Sequence, residues 1–344
     1  MNIKNTLYKA KSIIFSTSLN SPKTQKISGE VKKICILLVN VGLGDAVMST
    51  SFIRMLKMND KDIDVIITKQ LESIFSENTD ISNIITYDKK TTKISQEYDL
   101  VVDAYSHCSW YFTYKYMRLL SSINFKFLSG FDVRIPKKYN NNYIPETRNI
   151  HITDYYKYIS GDLLNIQESF PKNYSVFFSE HTKEVANNFI SSLPATTKKI
   201  AFCPFASTEK RSFSVSQINE VLRNLSSNDD ISIILLMPGD RLKNISPTTN
   251  SYHFSSPNFM NSAAVLCGCD FVISVDTSFV HISNSHNKPA IFFYSSIYNH
   301  NYNGDFLCGP NYSNMRQIIE GKGINHMTVD EILNLIPEAI SHKP

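Results

Sequence analysis

Three short stretches carry side chains able to do chemistry. The first, Val41-Gly42-Leu43-Gly44-Asp45, follows an apolar run and sets a carboxylate at the amino end of a helix-length segment. The chain has 11 glycines, and two of them, Gly42 and Gly44, fall within the three residues before Asp45. Glycines there permit a tight turn and let a ligand come close to the backbone, so Gly44 and Asp45 are candidate contacts for an incoming acceptor. Asp45 would equally serve as a helix N-cap. No third glycine follows at the spacing of a dinucleotide fingerprint, which makes a nicotinamide reading weak.

The second stretch is Asp276-Thr277-Ser278, between an apolar run and a helical segment, with His281 one turn further on. Hydroxyls and free N–H groups at a helix start form an anion site. Asp276 as a cap and His281 as a core histidine are the competing readings. The third is the loop Phe202–Ser214, where Ser207, Thr208, Lys210 and Arg211 could take a diphosphate or remain a solvated polar turn. Three loops at strand ends, carrying a carboxylate and several anion-binding groups, suit sugar transfer from a nucleotide.

The surrounding pattern is strand and helix in alternation. Short β-branched runs at 33–39, 62–68, 83–87, 98–105 and 124–131 enclose helix-length segments such as 45–58 and 109–121. The prolines and asparagines of 131–150 predict a loop, and 151–164 a helix. Strands then recur at 198–205, 231–237, 270–275 and 289–294, with helices near 180–191, 214–226, 259–268 and 279–287. The fold class is therefore α/β with mostly parallel sheets. We divide the chain into an N-terminal extension (1–30), a Rossmann-like acceptor domain (31–168) and a Rossmann-like donor domain (169–344). The last helix is expected to pack back on the acceptor domain. Open α/β sheets bind ligands at the carboxyl ends of their strands, where two such domains would form a cleft. In the extension, Ile3, Leu7, Ala10 and Ile14 fall on one helical face. The extension suits an arm packed on the protein itself or partly disordered or, alternatively, a weak membrane-surface helix.

Composition sets outer limits. A net charge of +4 could favour an anionic ligand or a membrane surface but falls short of a nucleic-acid-binding signature. The 6 cysteines are scattered and read as reduced thiols; Cys267 and Cys269 lack the partners of a zinc site, so no metal is expected. No apolar run is long enough to span a bilayer, and Ile13-Ile14-Phe15 is too short for a secretory core, which points to the cytoplasm.

Together these segments resemble glycosyltransferase family 9, the ADP-heptose:lipopolysaccharide heptosyltransferases, over about Lys33 to Tyr294. Leu43-Gly44-Asp45 matches the family's Leu-Gly-Asp turn. "VISVDTSFVHIS" matches a strand with Asp-Thr-Gly and a histidine four residues after the threonine, and Pro204–Lys210 looks like its Pro-Gly-Ala segment leading to a lysine. Among members, the chain is most similar to outer-core transferases with an N-terminal extension. The resemblance implies a GT-B architecture of two facing Rossmann-like domains and an inverting, metal-independent transfer of heptose from ADP-heptose to a lipopolysaccharide core. By carry-over, Asp45 is the general base, Lys210 and the Thr277-Ser278 helix start hold the diphosphate, His281 assists, and Asp276 faces the donor sugar. Asp240 would contact the ribose, with Phe259 or Met260 bordering the base. Phe205 and Ser278 replace family glycines, Asn40 and Val41 stand where a basic residue is common, and "KRSF" lacks the family's Trp-Pro.

Other constellations are weaker. Asp62-Ile63-Asp64 resembles a metal-binding Asp-x-Asp but precedes its strand, at the end away from the expected site. Asp103 ends a strand and could touch acceptor or cap the next segment. The loop with Arg134, Lys137, Lys138 and Tyr139, near His107 and Trp110, could recognise phosphates and acidic sugars of the core or stay solvated. The expected location is the cytoplasmic face of the inner membrane, with peripheral contact and no nucleic-acid partner. The rivals are a transferase using another nucleotide sugar, a non-catalytic sugar-nucleotide binder or assembly protein, and a Rossmann oxidoreductase.

Overall fold

A computed structural model describes residues 3–17, 19, 27, 29–88, 94–104, 109–237, 239–296, 298–299 and 302–341. The chain forms two compact units. One holds Met1–Gly42 and Ser49–Pro171, the other Leu43–Met48 and Lys172–Pro344.

In the first unit, α1 (Ile3–Thr17) precedes β1 (Lys33–Leu38), α2 (Leu43–Met58, whose Leu43–Met48 part groups with the second unit), β2 (Asp62–Ile67), α3 (Glu72–Phe75), β3 (Asn83–Thr86), β4 (Glu97–Asp103), α4 (Trp110–Leu120), β5 (Asn124–Phe131), β6 (Asn141–Tyr143) and α5 (Ile152–Tyr158). The strands form one parallel sheet in the order β3-β2-β1-β4-β5-β6. Apart from Lys33 and Asp62, β1 and β2 are buried throughout, as expected of parallel strands covered on both faces. Ser109 caps α4 by accepting from Phe112 N. His151 and Asp154 cap α5 reciprocally, and a π-helical turn, Ile159–Leu163, continues it.

One segment of this unit departs from the sequence reading. Within the expected loop 131–150 lie a 3-10 turn, Pro136–Lys138, and the edge strand β6. The two asparagines of this strand have little strand propensity of their own. The strand is held because Asn140 and Asn142 accept from the backbone N–H groups of Leu128 and Val133, at 2.8 and 3.0 Å. The N-terminal helix α1 packs on α4 through Tyr8, Ser12 and Phe15, leaving Leu7 and Ile14 exposed.

The second unit runs α6 (Glu180–Ser191), β7 (Lys198–Cys203), α7 (Val215–Leu225), β8 (Ile231–Leu236), β9 (Ser251–Phe254), α8 (Phe259–Gly268), β10 (Phe271–Val275), α9 (Ser278–Ser285), β11 (Ala290–Ser295), β12 (Tyr298–Asn299), β13 (Tyr302–Asn303), α10 (Gly304–Leu307), β14 (Met315–Glu320) and α11 (Val329–Ser341). Its six-stranded sheet, again parallel, has the order β14-β11-β10-β7-β8-β9. Cys203 of β7 pairs with Ser274 of β10, so the loops that follow these neighbouring strands leave the sheet at one edge. Ser214 and Gln217 close a capping box on α7. In the last helix, α11, the buried residues Ile332 and Ile336 belong to the core around Ile218, Leu222 and Phe293 of the second unit.

Candidate functional site

The site grows from the edge where β7, β10 and β11 end. Thr277 caps α9, its hydroxyl accepting from Phe279 N at 3.3 Å, and Ser278 begins the helix. The amino end of α9 therefore presents hydroxyls and N–H groups together. Before it stands Asp276, its side chain 14% exposed, whose backbone N–H bonds Phe293 O at 3.1 Å.

Arg211 from the β7–α7 loop reaches this carboxylate, with Nη2 2.8 Å from Asp276 Oδ2. The same nitrogen donates to the carbonyl oxygen of Asp276 at 2.6 Å. Burial pushes the Asp276 carboxyl up to about 6; Arg211 opposes that rise, whereas Asp45 and Asp305 add to it. A group near pH 6 can change charge in the physiological range.

Asp45 joins the cluster from the first turn of α2, within the Leu43–Met48 segment that groups with the second unit. Gly44 makes that approach possible. A Cβ on Gly44 would lie 2.8 Å from Cδ2 of His281 and 3.8 Å from the Ser278 Cα. His281 is 2% exposed and packs on the Tyr174 ring, so it has little room to yield. On this geometry His281 serves as a packed platform beneath Gly44. Asp45 Oδ1 in turn lies 4.0 Å from Cys308 Sγ. Burial, then Asp45 and Asp276, raise the Cys308 thiol well above its ordinary range, so it stays protonated beside the carboxylate.

The structure thus brings together Gly44, Asp45, Asp276, Thr277, Ser278 and His281. It separates the two cations of the β7 loop. Lys210 sits exposed on the 3-10 turn Glu209–Arg211 and lines a recess of about 560 Å³ with Thr208, Ser295, Ser296 and Lys322. Ser207 and Thr208 line a neighbouring recess of about 480 Å³ with Phe205, Ser212, Arg241 and Asn325. Arg241 rather than the exposed Asp240 borders that recess, its guanidinium 4.9 Å over the Phe205 ring. Met260 is buried in the first turn of α8, and the Phe259 ring lies 5.3 Å from that of Phe279.

The candidates in the first unit divide similarly. Asp103 has no exposed surface, and its carboxylate accepts the Tyr139 hydroxyl at 2.6 Å, an interior role. The Asp-x-Asp triplet opens β2 rather than preceding it, and its Asp64 is also interior, accepting from Tyr98 and Asn83. Arg134 and Lys137 are exposed, with Arg134 5.5 Å from the Trp110 ring. His107 lies outside the described residues. Among the described residues no group of three or more His, Cys, Asp or Glu is placed to hold a metal ion, and the described cysteines are free thiols.

Sequence reasoning missed Asp305 and Cys308. Both follow β11, whose end shares the edge of β10, so strand order could have directed the search there. Asp305 is 5% exposed and its Oδ1 has no hydrogen-bond partner.

Two α/β units, each built on a six-stranded parallel sheet, have the GT-B fold of the solved heptosyltransferases they resemble. The sequence model of glycosyltransferase family 9 (heptosyltransferase) matches residues 137–320, more than half of the chain, and the chain belongs to that family. It is 24% identical over 330 residues to the Escherichia coli (strain K12) protein named "Putative lipopolysaccharide heptosyltransferase 4", covering 90% of this chain and 86% of that protein. The crystal structure of the family 9 glycosyltransferase from Veillonella parvula DSM 2008 superposes with a TM-score of 0.74 at 14% identity, covering 92% of this chain and 99% of that one. E. coli heptosyltransferase WaaC with ADP gives 0.66 at 15% identity, covering 89% and 99%. The protein is accordingly a glycosyltransferase.

Proposed function

We propose that this protein transfers heptose from ADP-heptose to a lipopolysaccharide core with inversion at the anomeric carbon and without a metal ion, at the cytoplasmic face of the inner membrane. The observation that carries this reading is the meeting of Asp45 with Asp276 and the start of α9 through the close approach of Gly44 to His281. The donor and acceptor classes draw support from relatives named for ADP-heptose and lipopolysaccharide.

In this reading the reaction is a single displacement. An acceptor hydroxyl attacks the anomeric carbon from the face opposite the diphosphate, the bond to the diphosphate oxygen breaks, and ADP leaves. The hydroxyl proton becomes acidic only as the new bond forms, so an ordinary carboxylate in the right position accepts it; that carboxylate is Asp45. Charge growing on ADP is met by the Thr277 and Ser278 hydroxyls, the N–H groups of α9 and a cation.

Arg211 suits the cationic role better than Lys210, because it already reaches the head of α9. Lys210, on the same turn, adds longer-range attraction. Ser207 and Thr208 would contact the nucleotide in the 480 Å³ recess, with Arg241 taking the part assigned from sequence to Asp240. Arg134 and Lys137 would meet acceptor phosphates. Calorimetry with ADP, ADP-heptose and NAD, followed by mass analysis of an acceptor incubated with ADP-heptose, tests the reading. Binding of both ADP compounds and gain of one heptose support it; binding of NAD alone overturns it.

A further inference from the structure

Helix α1 wears its apolar stripe outward. Leu7, Ile13 and Ile14 are 50%, 48% and 64% exposed, while Ser12 and Ser16, on the opposite face, are buried. The inner face is fixed on α4: the Tyr8 ring lies 5.0 Å from Tyr111 and the Phe15 ring 5.7 Å from Tyr114, and the Ser12 hydroxyl reaches Trp110 O at 3.5 Å. An arm serving only to cover its own domain would turn leucine and isoleucine inward and leave serine to water.

The charges follow the same geometry. The helix contains Lys4, Lys9 and Lys11 and no acidic residue. At about 100° per residue, Leu7, Ala10 and Ile14 form one stripe, Lys4 and Lys11 run along one border and Lys9 along the other. Lys9 and Lys11 are anchored there, 5.4 Å over the Trp110 ring and 5.7 Å over the Tyr114 ring. Arg134 approaches the same Trp110 ring and extends the basic border. An apolar stripe between two cationic borders matches a lipid surface with anionic headgroups, where apolar side chains enter the acyl boundary and lysine stems reach back to the phosphates. A protein partner of acidic character would complement the lysines but leave the continuous stripe of leucine and isoleucine without its counterpart.

We infer that α1 docks the enzyme on an anionic bilayer, with Leu7, Ile13 and Ile14 inserted at the headgroup boundary and Lys4, Lys9 and Lys11 at headgroup level. The inference deepens the reading above, since a lipid-anchored acceptor is met at that surface, yet the docking itself requires no catalysis.

The test is sedimentation of the full chain with phosphatidylethanolamine vesicles containing phosphatidylglycerol, against vesicles of phosphatidylcholine alone. Binding to the anionic vesicles is expected to be at least about tenfold tighter and to weaken with salt, since each lysine near such a surface contributes roughly fivefold. The double variant Leu7→Glu/Ile14→Glu should lose at least tenfold in vesicle binding, whereas Met58→Glu, which changes an equally exposed residue on α2, should not. Both substituted positions of the double variant face outward, so its melting temperature should match the parent. If it does not, Lys4→Gln/Lys11→Gln, which removes no apolar group, must still lower anionic binding roughly tenfold or more. Equal binding to both vesicles, or undiminished binding by these variants, overturns the inference. Concentration-dependent self-association that the double variant abolishes would assign the face to a second copy and also overturn it. Transfer to a deacylated, water-soluble acceptor separates the two readings. The double variant should retain it fully, and a parent enzyme that binds vesicles but never transfers would sink the catalytic reading alone.

Discussion

Arg211 Nη2 lies 2.8 Å from Asp276 Oδ2 and 2.6 Å from the carbonyl oxygen of the same residue. One guanidinium nitrogen thus joins side chain and main chain just ahead of α9. The carboxylate is nearly buried and Arg211 is itself mostly covered, so the pair is shielded from water in a way that a surface ion pair is not. Such a cation is fixed before any substrate arrives, and charge developing on a leaving diphosphate would meet it without reorganisation.

Arg211→Ala should therefore reduce kcat/KM more than Lys210→Ala. Loss of one preorganised donor costs about 3–4 kcal/mol, a few hundredfold in rate, whereas an exposed lysine contributes about tenfold or less. Steady-state kinetics of the two variants, with melting temperatures to exclude unfolding, make the comparison. A larger loss for Lys210→Ala would return the cationic role to the residue favoured by sequence.

The Asp276 carboxyl, pushed up to about 6 from 3.8, predicts a pH signature in stability. Between about pH 4 and 6 the native state holds a proton that the unfolded chain has released, so this group's contribution falls as pH rises through that window and is level above it. The slope approaches, without reaching, the limit of about 1.4 kcal/mol per pH unit for one whole proton. Urea unfolding of the parent and Asp276→Asn across this range should show the stability difference shifting in favour of the variant as pH rises. A difference independent of pH would contradict the assignment.

Gly44→Ala should destabilise the protein by about 1–3 kcal/mol, because the added methyl meets a buried imidazole. His281→Ala makes room for it, so the double variant should be less destabilised than the sum of the two singles. Chemical denaturation of the four proteins measures the coupling, and strict additivity would mean that the two residues do not press on each other.

Tyr139→Phe removes the hydroxyl that donates to Asp103 at 2.6 Å. A buried carboxylate losing a donor costs about 1–3 kcal/mol. Calorimetry should find ADP affinity unchanged in this variant while its melting temperature falls. A selective loss of acceptor binding at unchanged stability would instead give Asp103 a place in the acceptor site.

Much of the fold was legible because periodicity reports burial. Strands β8, β10 and β11, buried throughout, and β1, buried beyond Lys33, appear in the sequence as mainly apolar runs rich in isoleucine, valine, leucine and aromatic residues. Elements whose stability comes from partners were not legible. β6 is three polar residues held by asparagine side chains, and β14 mixes exposed and half-buried positions. Asp45, Asp276, Thr277 and Ser278 stood out in the sequence because each sits at a strand-to-helix turn, and His281 because it lies one turn into the helix that follows. Two adjacent cations offer no local signal of which one turns inward, and only the three-dimensional course of the β7 loop separates Arg211 from Lys210. Likewise, a helical wheel shows that α1 has an apolar face but not which face meets α4. Its aromatic side chains decide that, with Tyr8 and Phe15 engaging Tyr111 and Tyr114.

The central claim is that Asp45 accepts the acceptor's proton at a site that also holds the donor. Asp45→Asn keeps the shape of the side chain and removes its basicity. Transfer from ADP-heptose, measured beside ADP affinity on the same preparation, should fall at least about a hundredfold while affinity stays within a few fold. Unchanged transfer would contradict the account, as would an equal loss of ADP binding and transfer.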